Sequence, residues 1–157
     1  MAPLSVLELS DRIEIDDLLT RYATGVDRRD WDLWETCFTD DAEIDYTAFG
    51  GIQGGVKEVR AWLEKTIPMF PMSQHMVINR EVVLDGDRAT ARSGFYNPMS
   101  LPGGDGEADL LWLLGGYYCD TLVRKPDGWK IASRREEFSY STQQMRLLTA
   151  KPAKDAD

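Results

Sequence analysis

Histidine and cysteine are nearly absent from this sequence: His75 stands alone, and Cys37 and Cys119 are far apart with no CxxC pair. A zinc site would have to be almost all carboxylate, and no thiol redox motif is present, so both cysteines are expected as reduced thiols in packed positions. Long apolar runs are missing too. No segment supplies the ~20 consecutive apolar residues of a membrane span, and the opening MAPLSVLELSDR lacks the basic and unbroken apolar regions of a secretory leader. A cytoplasmic location is the expectation. Positive charge is scarce: 18 basic against 27 acidic residues leave a net charge of -9, which repels nucleic acid backbones and anionic membranes. No GxSxG, HExxH or EF-hand pattern occurs. The glycine-rich stretch GGIQGG, Gly50 to Gly55, has no Lys-Ser/Thr ending and does not fit the dinucleotide fingerprint, so it reads as a flexible loop.

What is present is one well-patterned domain of 157 residues, with residues 1–145 as its body and 146–157, ending in KPAKDAD, as a frayed tail. Ser5 and Glu8 have capping-box spacing, and Ile15, Leu18, Leu19, Tyr22 and Val26 repeat at three and four residues, which predicts a helix to about Asp27. Asp30 is placed to cap a short second helix over WDLWETCF, with Trp31, Trp34 and Phe38 on one side. After a turn at Thr39-Asp40-Asp41, AEIDYTAF alternates as a first strand carrying Ile44 and Tyr46. Val56 to Ile67 is a third helix stopped by Pro68 and Pro71. The remainder is sheet: Gln74–Leu84, Arg88–Asn97, Leu110–Lys125 and Trp129–Ser141, with hairpin signals at Asp85-Gly86 and Asp127-Gly128. The polar stretch LPGGDGEAD is expected as a mobile loop near a cavity or a subunit edge. Helices first and antiparallel strands last predict an α+β fold, with helices on one face of a bent, mainly antiparallel sheet. A curved sheet covered by helices leaves a cavity.

His75 opens a strand, and histidine is the usual general base near neutral pH. Asp27 closes the first helix, where negative charge opposes the macrodipole by up to about 1 kcal/mol. A partner able to carry positive charge would explain that placement, and His75 is the candidate, with Asp27 fixing its tautomer. Tyr22, Tyr46 and Tyr118 are phenols that can polarise a carbonyl or protonate a leaving hydroxyl. On the last strand Arg134, Glu136 and Phe138 share one side. Arg134 either anchors a ligand group from the interior or, more commonly for such a residue, forms a surface salt bridge with neighbouring glutamates.

The segments LSDRIEIDDLLTRYATGVDRRDWDLWETCFTDDAEIDYTAFGG, SQHMVINREVVLDGDRATAR and GGYYCDTLVRKPDGWKIASR, over about residues 8 to 138, resemble the SnoaL-like branch of the nuclear transport factor 2-like superfamily. The resemblance implies a cone-shaped α+β barrel with helices packed in the concave face of the sheet. Within the superfamily the chain is similar to the lyase-type members, scytalone dehydratase, bile acid 7α-dehydratase and hexachlorocyclohexane dehydrochlorinase. It places a His/Asp dyad on His75 and Asp27, tyrosines of the site on Tyr22 and Tyr46, and Asn97 where the bile acid enzyme has an acid. Arg134, Trp112 and Tyr118 are the further expected substrate contacts. The implied activity is cofactor-free elimination, without metal, on a bulky apolar, aromatic or polycyclic molecule. Isomerases, polyketide cyclases and non-catalytic binding domains share the fold and remain alternatives. A homo-oligomer, dimer or trimer, is implied as well.

Overall fold

The computed structural model describes residues 3–142 and 145–146. The first helix, α1 (Val6–Arg28), starts at the predicted capping box: Ser5 Oγ accepts the Glu8 N–H at 3.2 Å, and Glu8 Oε2 accepts the Ser5 N–H at 2.7 Å. Its buried stripe of Ile15, Leu18, Leu19, Tyr22 and Val26 is the one the periodicity picks out. Arg29 ends the helix in the left-handed region (φ 56), and its guanidinium donates to the Phe70 carbonyl at 3.0 Å. Helix α2 (Trp31–Glu35) is capped by Asp30, which accepts the Leu33 N–H at 3.0 Å. It stops short of Phe38, which begins β1 (Phe38–Asp45) rather than completing a helical face. The expected turn at Thr39-Asp40-Asp41 is therefore strand.

Tyr46 lies just beyond β1, not within it. Asp45 Oδ1 accepts the Thr47 N–H at 2.9 Å and the Thr47 hydroxyl at 2.6 Å, an Asx turn that ends the strand and opens a short 3-10 turn over Thr47–Phe49. The glycine-rich stretch is only in part a loop, because β2 (Gln53–Gly55) pairs antiparallel with β1. Helix α3 (Val56–Thr66) follows, then β3 (Met76–Asp85), β4 (Arg88–Leu101), β5 (Leu110–Lys125) and β6 (Gly128–Ser141). Strand β4 continues past Pro98, where a strand end was expected. The proline is tolerated because β3 begins opposite Tyr96, and at position 98 only the carbonyl is called on, by the Gln74 N–H at 3.1 Å.

The strand order is β2-β1-β6-β5-β4-β3, with β7 (Met145–Arg146) added against β5. Every pairing is antiparallel except β1 with β6. The sheet curves without closing, so the cone is open along one edge. Residues of α1 and α3 pack into its concave face on Phe95, Leu122 and Ile131, and Trp34 and Phe38 complete the core. Cys37 is buried, whereas Cys119 is half-exposed on the outer face, a correction to the expectation that both pack inside. No helix among the described residues is long and apolar enough to cross a membrane. The expected tail, KPAKDAD, lies outside the described residues.

Candidate active site

The last turn of α1 delivers Asp27 to the chain just ahead of β3. Both of its carboxylate oxygens accept the His75 backbone N–H, at 3.1 and 2.9 Å, and Oδ1 lies 2.7 Å from the ring Nδ1. The awkward charge at the helix C-terminus is thus satisfied by two donors of one residue. With Nδ1–H given to Asp27, the lone pair of His75 sits on Nε2. Asn97, carried inward by β4, places its Nδ2 2.9 Å from that nitrogen. The amide orientation is supported by Ser73, whose hydroxyl donates to Asn97 Oδ1 at 3.4 Å. Asp27, His75 and Asn97 form one hydrogen-bonded row, with the imidazole side chain 9% exposed.

This row borders a cavity of about 310 Å³ between α1, α3 and the inner face of the sheet. Its walls are largely apolar, from Val26, Phe49, Trp62, Leu63, Phe70, Met99, Trp112 and Leu114. Gly116 matters here: a Cβ at that position would lie 2.8 Å from the Phe49 ring, so only glycine lets this wall close. Tyr22, Tyr46 and Tyr118 also face the cavity, and the Tyr22 and Tyr46 hydroxyls hydrogen-bond each other at 2.7 Å. Burial pushes all three phenols above their ordinary range, so they are neutral hydrogen-bonding groups. Trp112 turns its indole N–H away to Ser141 Oγ at 2.8 Å and offers the cavity an apolar ring.

Arg134 departs from expectation. It is not a surface residue paired with glutamates: its guanidinium is fully buried and makes two bonds of 2.7 Å to Asp120, itself fully buried. It lies 3.9 Å from the Tyr22 ring centroid and 4.2 Å from that of Tyr118, so the ion pair braces two cavity tyrosines from behind. Its side chain acts through those rings rather than reaching the cavity. The residue that does reach it is Glu136, two positions on and opposite Tyr118 in the β5–β6 ladder. The strand alternation had placed Glu136 with Arg134 but carried no sign that its carboxyl would meet the cavity. Burial raises that carboxyl to about 8, against the opposing influence of Arg134.

A larger groove, about 550 Å³, runs over the outer face of the sheet past Glu43, Glu81, Arg92 and Arg135. It is open to solvent, and the Asp27–His75–Asn97 row does not reach it.

Comparison with known proteins agrees with this architecture. An uncharacterised protein of Mycobacterium tuberculosis is 42% identical over 133 residues, covering 85% of this chain and 88% of the relative. The structure of a Kribbella flavida protein superposes with a TM-score of 0.77 at 30% identity, over 86% of this chain and 95% of that one. A candidate scytalone dehydratase of Novosphingobium aromaticivorans shares the fold with a TM-score of 0.76 at 20% identity, over 96% and 97% of the two chains. The sequence profile of the SnoaL-like domain matches residues 7–135, and the chain belongs to the SnoaL-like domain family of the nuclear transport factor 2-like superfamily.

Proposed function

We propose that this protein is a cofactor-independent lyase that eliminates water or a similar small group from a bulky, apolar aromatic or polycyclic molecule. The observation that carries the reading is the oriented imidazole at the cavity wall, with Asp27 on Nδ1 and the Asn97 amide, itself a cavity-lining group, on Nε2. In this reading His75 Nε2 removes a proton next to a carbonyl or aryl group. Asp27 holds the tautomer and stabilises the imidazolium that forms. Asn97 keeps the ring in register in the free protein and yields the lone pair when substrate enters. The Tyr22–Tyr46 pair supplies a neutral hydrogen-bond donor to the developing oxyanion, where low dielectric makes such a bond strong.

Support for elimination comes from the fold shared with a candidate scytalone dehydratase and with a hexachlorocyclohexane dehydrochlorinase. The apolar rings around the cavity favour a flat, largely carbon ligand. The test is a screen of β-hydroxy ketones built on two fused rings, followed by mass spectrometry. Loss of one water by the parent, and its absence in His75→Ala, is the expected outcome. A product of unchanged mass would make the protein an isomerase or cyclase using the same base.

A further inference from the structure

Elimination needs a proton for the departing oxygen as well as a base, and most polar groups around this cavity are already committed. The His75 ring gives its Nδ1 proton to Asp27, and the Asn97 amide is held between His75 and Ser73. One hydroxyl proton of the Tyr22–Tyr46 pair is spent between them. The Arg134 guanidinium gives Nε and Nη2 to Asp120, and its remaining Nη1, which has no hydrogen-bonding partner, stays behind the Tyr22 and Tyr118 rings on a side chain that does not line the cavity. Glu136 differs from all of these. It lines the cavity, and its Oε2 is enclosed with no hydrogen-bonding partner. An enclosed carboxyl oxygen without a partner is costly unless a ligand atom supplies one.

We propose that Glu136 is the hydrogen-bond donor that meets the substrate's departing oxygen, as distinct from the carbonyl that the Tyr22–Tyr46 pair serves, and that a departing hydroxyl takes its proton from this carboxyl. The assignment rests on the lyase reading for the proton transfer, while the binding role stands without it. The carboxyl is suited to donate at neutral pH, because burial and the carboxylate of Asp45 raise it to about 8 while Arg134 opposes them. The groups around it are Arg134 on its own strand, Asp45 of β1, and the neutral phenols of Tyr22, Tyr46 and Tyr118; Asp120 is consumed by Arg134.

His75 Nε2 takes the C–H proton, and the released electron pair forms the carbon–carbon double bond. The carbon–oxygen bond breaks, and the leaving oxygen collects the Glu136 proton and departs as water. Imidazolium and carboxylate remain, and transfer of the imidazolium proton to Glu136 through solvent restores both.

The test uses 2-tetralone, a two-ring ketone that does not itself ionise in the working range and whose one oxygen can only accept, so that it stands in for the departing oxygen at Glu136; it is titrated against the intact protein between pH 6 and 10 with tryptophan fluorescence as readout. Trp62 and Trp112 line the cavity and report occupancy. The parent is expected to bind evenly up to about pH 7 and to lose about tenfold in affinity by pH 9.5, as the donor ionises. Glu136→Gln keeps a donor that cannot titrate, so its binding should be independent of pH. Glu136→Ala should bind about tenfold more weakly than the parent at pH 6. Equal affinity of all three proteins across the range, or a parental profile unchanged in Glu136→Gln, overturns the assignment. Turnover separates it from the lyase reading. Tetralone binding as described in a protein whose His75→Ala form keeps parental activity removes the elimination and leaves the donor; His75-dependent turnover with flat binding does the reverse.

Discussion

The ion pair behind the tyrosines gives a sharp stability prediction. Asp120 and Arg134 are both fully buried and joined by two bonds of 2.7 Å. Replacing Asp120 by leucine strands a guanidinium in the core, which costs about 3–5 kcal/mol by comparison with other broken buried pairs. For a domain of this size each kcal/mol shifts Tm by about 2–4 °C, so Asp120→Leu should melt roughly 10–15 °C below the parent. The double variant Asp120→Leu/Arg134→Met removes both charges and fills the space with apolar atoms. It should recover most of the loss, since replacing a buried pair by hydrophobic residues is often neutral or better. Recovery stays incomplete because the guanidinium also stacks on Tyr22 and Tyr118, worth about 2 kcal/mol when desolvated. Guanidinium denaturation followed by tryptophan fluorescence measures all three proteins. A single variant within about 1 kcal/mol of the parent, or a double variant no more stable than the single, refutes the reasoning.

Glu136 has a folded value of about 8 against an ordinary 4.5, so its neutral form stabilises the native state fully below about pH 4.5, and this contribution is lost as pH rises through about 8. Glu136→Gln lacks that loss, and thermal melts should show its stability relative to the parent growing by a few kcal/mol, on the order of 2–4, between pH 5 and 9. Asp11, 3% exposed, is bound by the Arg124 guanidinium and by the Trp129 indole N–H at 3.1 Å, and Arg124 holds its carboxyl below the usual range. Its stabilisation is present above about pH 4 and lost as pH falls through the lowered value, so Asp11→Asn should cost ~1–3 kcal/mol in urea titrations at neutral pH and progressively less in acid. A methyl group on Gly25 would lie 2.9 Å from the Trp34 backbone nitrogen. Gly25→Ala should therefore push α1 and α2 apart and destabilise by about 1–3 kcal/mol in the same assay.

Much of this architecture is legible in the residues because local signals and packing agree. The Ser5–Glu8 box, the stripe from Ile15 to Val26, and the Asp-Gly hairpins each depend on near neighbours, and the structure keeps all of them. Misreadings cluster where a side chain overrides strand alternation. Asp45 turns the chain by binding Thr47, so Tyr46 reaches the cavity from a turn, and Pro98 survives in β4 because its missing N–H faces no partner strand. Asp27 and His75 were visible as a misplaced acid and a lone base. Their meeting, and Asn97 on the far side of the ring, depend on contacts 48 and 22 residues apart that only the folded chain brings together. The partner of Arg134 is hidden from the strand pattern for the same reason: Asp120 lies across a β5–β6 pairing whose register is set by irregularities that alternation does not announce.

The base itself is open to direct measurement without knowledge of the natural substrate. Deuterium exchange at the α-carbons of 2-tetralone in D2O, followed by proton NMR, reports proton removal alone. The parent should accelerate exchange over buffer, and His75→Ala and Asp27→Asn should each lower that acceleration by about 100-fold or more. Exchange by His75→Ala at the parental rate, or none above buffer with the parent, would contradict an imidazole acting as base in this cavity.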